Sequence, residues 1–238
     1  MARLLRTIAV LFAPLVLTGC LLSPGKFMST LRIDADRHFT FTYVGEVIDA
    51  EPKTSDSDTS SGSDDKPSPE EVKAKAAKAA ADKAEADTKY RELAATLSKE
   101  AGYRKVAYVG DGKFMVDYAV SGTLDHTFIW PFNLDGEVII PFVAIELRQD
   151  GIVRVKAPAF ANDDKSKTAM GGMGGMPGMP GGGSDSKADG IFTLDTNAEI
   201  VSQNNENGAT TAGGRKVVAW KVTPATKDAP TAVLKLAK

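Results

Sequence analysis

Sulfur offers the first chemistry in this sequence, in two arrangements. Residues 1–20 read MARLLRTIAVLFAPLVLTGC, and the chain's single cysteine, Cys20, ends that apolar run. A thiol is nucleophilic even when mostly protonated, so a solitary cysteine here suits acylation to a stable thioether. With no second cysteine, neither an internal disulfide nor a cysteine-based zinc cage can form. A lone cysteine is ordinarily a small buried hydrophobe, but position, preceding run and missing partner favour the attachment. The second arrangement is Met170, Met173, Met176 and Met179, one at every third residue of a glycine-rich stretch. Thioethers are soft ligands for Cu(I), so weak copper binding is one reading. No His or Cys accompanies them, and the glycines make such a loop expensive to order, which favours a flexible segment instead.

The remaining candidates are sparse. The two histidines, His38 and His126, sit at strand ends, and Asp34, Asp36 and His38 have ligand chemistry within one turn. A solvated hairpin tip has the same composition, so no metal site is expected there. No GxSxG elbow, HExxH, P-loop or GxGxxG fingerprint occurs, and a non-enzymatic chain without a cofactor is expected. Trp130-Pro131-Phe132 and Ile139-Ile140-Pro141-Phe142 place aromatics beside prolines, which confine such pieces to sheet edges or bends. They read either as a core corner or as the mouth of an apolar groove. In the second case Phe128, Trp130, Phe132 and Phe142 would receive a lipid tail or a partner peptide.

The elements that position these residues begin with a targeting segment. Arg3 and Arg6 precede an apolar run of ten residues, Ile8 to Leu17, within the roughly 7–15 of a secretory signal and short of a spanning helix. Leu17-Thr18-Gly19-Cys20 resembles the bacterial lipobox, which implies cleavage after Gly19 and acylation of Cys20. One acyl chain anchors only marginally, at about 0.8 kcal/mol per buried methylene, whereas two or three hold the chain permanently. Leu21, in place of Asp, implies by the same resemblance transfer to the outer membrane, on its periplasmic face. Loss of residues 1–19 leaves 27 basic against 31 acidic side chains, a charge of -4 with no basic stripe, which argues against nucleic acid.

Residues 20–50 carry the anchor and a first β-hairpin, because Phe27, Ser29, Leu31, Ile33 and then Phe39, Phe41, Tyr43 alternate about a polar turn. Residues 51–67 form an acidic linker with no large apolar side chain and are expected to be disordered. Ser68, Pro69 and Glu71 make a helix start, and the helix of residues 68–102 should run to about Ala101, stopped by Gly102. Its first half has almost nothing to bury; its second carries a stripe of Tyr90, Leu93, Ala94, Leu97 and Ala101. The second half should dock and the first project, with the composition of a coiled coil. Residues 103–161 return to strands around Gly110-Asp111-Gly112 and Gln149-Asp150-Gly151 turns. Residues 162–189, with the methionines, form a second disordered loop, and residues 190–238 complete the sheet, with Gln203 to Gly214 a long polar loop. The fold class is α+β: a mostly antiparallel sheet of about seven or eight strands with one long inserted helix.

Two stretches carry a resemblance. Cys20-Leu21-Leu22-Ser23-Pro24-Gly25-Lys26-Phe27, with Phe39-Thr40-Phe41-Thr42-Tyr43 and Gly45-Glu46, is similar to the mature start of an uncharacterised proteobacterial lipoprotein family. It implies a class and no catalytic residue. A lipobox followed by a hairpin, late strands and Ala219-Trp220-Lys221-Val222 also resembles mycobacterial lipoproteins with a lipid-binding β-rich domain. The expected function is a membrane-anchored envelope module that binds a lipid, a hydrophobic ligand or an envelope protein through an apolar sheet face. The alternative is an assembly protein acting through its projecting helix.

Overall fold

Period-two alternation builds the first pair of strands. The computed structural model describes residues 22–49, 69–131, 141–162 and 187–237. Strand β1 (Leu22–Ile33) and strand β2 (His38–Asp49) form a hairpin in which Phe27, Leu31, Ile33, Phe39, Phe41 and Tyr43 all point inward. Arg37 adopts a positive φ of 75° in the turn, and the Asp34 amide donates to the His38 carbonyl at 2.8 Å. Helix α1 (Pro69–Leu97) follows, then β3 (Tyr103–Gly110), β4 (Lys113–Thr123) and β5 (Phe128–Trp130). The remainder is β6 (Val143–Leu147), β7 (Ile152–Lys156), β8 (Asp189–Thr196), β9 (Glu199–Gln203), β10 (Thr210–Ala212), β11 (Arg215–Val222) and β12 (Thr231–Lys235).

The α+β class stands, but one sheet of seven or eight strands does not. The described residues hold twelve strands in two sheets, β10-β11-β8-β1-β2-β4-β3 and β5-β6-β7-β12-β9. All neighbours are antiparallel except β1 and β8, which pair in parallel from Lys26↔Asp189 to Ile33↔Thr196. The short β5 carries the chain from the larger sheet to the smaller, and the inner faces of both enclose one core. The expected polar loop of Gln203 to Gly214 contains β10. Gly213 and Gly214, at φ 58° and 76°, close a two-residue hairpin from β10 to β11, the geometry that asks for glycine.

Close approach explains another glycine. A Cβ on Gly190 would lie 2.0 Å from the Phe27 carbonyl oxygen, so β8 meets the irregularity in β1 between Pro24 and Phe27 only without a side chain.

Helix α1 behaves as two halves. Residues 72–85 are exposed all round, whereas Tyr90 packs on Tyr108 and Phe114, and Ala94 is buried in the core. The expected stripe is narrower than its sequence pattern, because Leu93 is 43% exposed and Ala101 is exposed. Regular helix also ends at Leu97, earlier than Ala101. Turns from Lys99 to Thr96 and from Glu100 to Leu97 lead to Gly102 at φ 91°. The helix therefore extends the inner layer over β3 and β4, beside the five-stranded sheet.

Candidate functional site

The aromatic corner resolves to core. Trp130 is 4% exposed and Phe142 fully buried; Phe128 is half-buried, and Phe132 lies outside the described residues. Trp130 sits 4.7 Å from the Tyr43 ring, 5.1 Å from Tyr118 and 5.2 Å from Phe142. Phe128 fills the space over Phe39 and Phe41. Offset and tilted rings of this kind hold two sheets together, and they leave no open groove among these residues. The expectation of an apolar mouth at Phe128, Trp130 and Phe142 is therefore corrected. Strand β5 is too short to carry its aromatics past the sheet edge, so they close the sandwich corner.

Asp34, Asp36 and His38 do not converge either. The Asp34 carboxylate accepts from Arg215 at 2.6 Å, and the same guanidinium reaches Asp195 at 2.6 Å. Burial pushes the Asp34 carboxyl up, but the Arg215 and Arg32 cations outweigh it and hold it below its ordinary 3.8. The Asp36 carboxylate accepts the His38 amide at 3.1 Å and serves the turn. Among the described residues no group of three or more His, Cys, Asp or Glu is placed to hold a metal ion. Met170, Met173, Met176 and Met179, like Leu17, Thr18, Gly19 and Cys20, lie outside the described residues.

A polar cluster that the sequence did not reveal ties α1 to the sheet. The Tyr90 hydroxyl donates to the buried Asp49 carboxylate at 2.6 Å, and the Tyr108 hydroxyl donates to Asp87. Burial and the Asp87 charge push the Tyr108 phenol up, so it remains a donor. Lys83 bridges to Asp111 at 2.6 Å on the β3–β4 turn. These contacts join the end of β2, the helix and the hairpin tip. They position the helix and bring together no nucleophile and base.

The outer face of the seven-stranded sheet is the apolar surface that remains. Around Met28 its side chains are exposed or half-buried. Its inward neighbours alternate with Met28, Val44, Met115 and Ile191, four of the nine large hydrophobics that the described residues expose. Met28 is 70% exposed, and it pairs with Val44 on β2 and with Ile191 on β8. The register extends this row to Asp117 and Lys105 on one side and to Lys221 on the other. Arg104 pairs with Asp117 at 2.5 Å, which neutralises the row's one acid. At ~4.8 Å per strand the apolar centre spans about 10 Å, with a lysine at each end about 25 Å apart.

No family model and no curated protein matches the chain. One solved structure does. The folded domain of the Mycobacterium tuberculosis protein LppM, determined by NMR, is 16% identical over 94% of this chain and 95% of that one, with a TM-score of 0.34.

A second surface feature lies at the opposite corner of the sandwich. Edge strand β9, with β10 and Lys216, lines a cleft of about 500 Å³ through Ile200, Val201, Ser202, Gln203, Ala209 and Thr211. A bulge in the β9–β12 pairing falls at Val201 and twists this edge away from regular pairing. Among the described residues, no helix is long and apolar enough to cross a membrane.

Proposed function

We propose that this chain is a membrane-anchored, non-enzymatic lipoprotein of the bacterial envelope, held by an acylated Cys20 and binding a hydrophobic envelope component through an exposed sheet face. The observation that carries the binding half is the in-register row of Val44, Met28 and Ile191, all exposed on the outer face of the seven-stranded sheet. Such a row is a surface that water wets poorly and that an apolar partner would cover. Phe128, Trp130 and Phe142 pack into the core from the five-stranded sheet, so the role passes to aliphatic side chains on the outer face of the seven-stranded sheet.

Acylation supports the tether. The Leu17-Thr18-Gly19-Cys20 pattern needs a thiol at the position where the apolar run ends, and two or three acyl chains there give durable attachment. Leu21 favours delivery to the periplasmic face of an outer membrane. No cofactor is required beyond the covalent lipid, and the charge of the chain offers nucleic acid no basic stripe.

A second reading has its own observation. Residues 72–85 of α1 are exposed on every side and reach the sheet through the Lys83–Asp111 bridge, so that half of the helix buries little and presents a surface to another envelope protein. Crosslinking in intact membranes, followed by capture and mass analysis, tests both readings when it is run on the parent chain and on a chain lacking residues 73–86. Under the first reading, lipid or hydrophobic partner capture survives the deletion. Loss of every crosslink on deletion, with the domain still folded, would transfer the function to the helix.

A further inference from the structure

We infer that the outer face of the seven-stranded sheet lies flat on the bilayer that holds the anchor, so that its partner is an anionic lipid surface. The inference rests on the proposed acylation of Cys20 and takes it one step further, from attachment to orientation. Strand β1 begins at Leu22, two residues after Cys20. Two residues of chain reach at most ~7 Å, so the acylated sulfur is held at the start of a rigid central strand, with no stalk between. Six residues further along that strand is Met28, the most exposed large hydrophobic side chain among the described residues, about 20 Å away at the rise of a β-strand.

Two orientations satisfy so short a tether. In an upright domain the Leu22 end would face the lipid, and with it the β3–β4 turn, where Asp111 is 81% exposed in its side chain and occupied by Lys83. That end offers an ion pair, a short turn and one exposed valine, Val109, in place of a row of aliphatic side chains. In a flat domain the lipid meets Val44, Met28 and Ile191, with Lys105 and Lys221 at the two ends of the row; Lys26 and Asp189 stand opposite each other beside it and balance in charge. Aliphatic side chains at the centre with lysines at the margin match an interface, because the stems lie along the acyl boundary while the ammonium groups reach phosphate. Asp117 does not repel the headgroups strongly, since Arg104 holds it. The flat orientation also sets the projecting half of α1 and the β9 cleft away from the lipid, on the other layer of the sandwich.

Depth-dependent quenching decides between the two. Acylation converts Cys20, the chain's only cysteine, to a thioether, so a cysteine introduced into the full-length acylated protein is the sole free thiol. Met28→Cys, Ile191→Cys, Asp111→Cys and Val201→Cys would each be labelled with an environment-sensitive dye on vesicles of phosphatidylethanolamine and phosphatidylglycerol. Brominated acyl chains should quench the labels at residues 28 and 191 and leave those at 111 and 201 bright. Replacing phosphatidylglycerol by phosphatidylcholine should weaken the quenching severalfold, as expected for lysine–phosphate attraction. Quenching at residue 111 with none at 28 would mean an upright domain and overturn the inference. A label at 28 that stays bright, with the unlabelled Met28→Cys chain forming a disulfide to its counterpart on another molecule under oxidation, would assign the face to a second copy and also overturn it. Intact mass of the same samples separates the two levels: no acyl mass on Cys20 removes the anchor reading and this orientation together, whereas acylated protein without quenching at 28 removes the orientation alone.

Discussion

The two faces of the seven-stranded sheet are made by the same strands and do different work. On the inner face Phe41, Tyr43, Leu31, Ile33, Phe192 and Leu194 are fully buried in the one core that the two sheets enclose. On the outer face the alternate residues are threonines, charges and the aliphatic row around Met28. Burial of a large apolar side chain stabilises the fold by about 1.5–3 kcal/mol, and the outer row is withheld from that role. The difference teaches that apolar content alone does not mark the functional surface. The proposed surface is marked instead by apolar content that the fold leaves exposed.

The comparison can be broken most sharply by one substitution on each face. Phe41→Ala should lower unfolding free energy by about 3–5 kcal/mol in a denaturant titration, because it opens a cavity among the Tyr118, Phe128 and Trp130 rings. Met28→Ser should stay within about 0.5 kcal/mol in the same titration. Equal losses at the two sites would mean that the outer row is part of the stabilising core. Gly190→Ala probes the seam between β8 and β1: the added Cβ meets the Phe27 carbonyl, and a loss of about 3 kcal/mol is expected with no change in the denaturant slope.

Ionisation sharpens the same contrast. Burial pushes the Tyr103 phenol up to about 12, with Tyr118 adding to it. A folded value above the unfolded 10 means stability that is complete below pH 10 and is lost as the pH rises towards 12. Tyr103 should account for roughly 2–3 kcal/mol of the loss, followed by denaturation against tyrosinate absorbance, and Tyr103→Phe should reduce it by about that amount. At the helix junction a smaller effect is expected. Tyr90→Phe leaves the buried Asp49 carboxylate without its 2.6 Å donor and should lower stability by about 1–2 kcal/mol. Faster proteolysis of α1 in that variant, with the sheets intact, would locate the effect at the junction.

Much of this fold was legible from local pattern. Phe39, Phe41 and Tyr43 read as an inward face because period two is a property of adjacent residues. Asp111-Gly112 and Asp150-Gly151 read as turns because they supply positive φ, as found at 52°, 67°, 58° and 73°. Trp130 and Phe142 were ambiguous in sequence, since aromatics beside prolines suit a core corner and a groove mouth alike, and only the packing against Tyr43 decides. Thr210, Thr211 and Ala212 gave no strand signal: all three are exposed, and backbone pairing with β11 makes them β10. The row of Val44, Met28 and Ile191 was not visible because it depends on the register of three strands, one of them paired in parallel across more than 150 positions of sequence. The Asp49–Tyr90 and Asp34–Arg215 contacts escaped for the same reason, being products of long-range topology.

The central claim is that one face builds the fold and the other meets the membrane, and hydroxyl-radical footprinting reads both at once on unmodified side chains. The acylated protein on phosphatidylglycerol-containing vesicles would be compared with the Cys20→Ser chain free in solution, with oxidation quantified by peptide mass analysis. The account predicts that Met28, Met115, Val44 and Ile191 oxidise readily in the free chain and are protected severalfold on vesicles, while Leu93 and Val201 react alike in both. Unchanged oxidation of Met28 and Ile191 on vesicles that carry the acylated protein would contradict it.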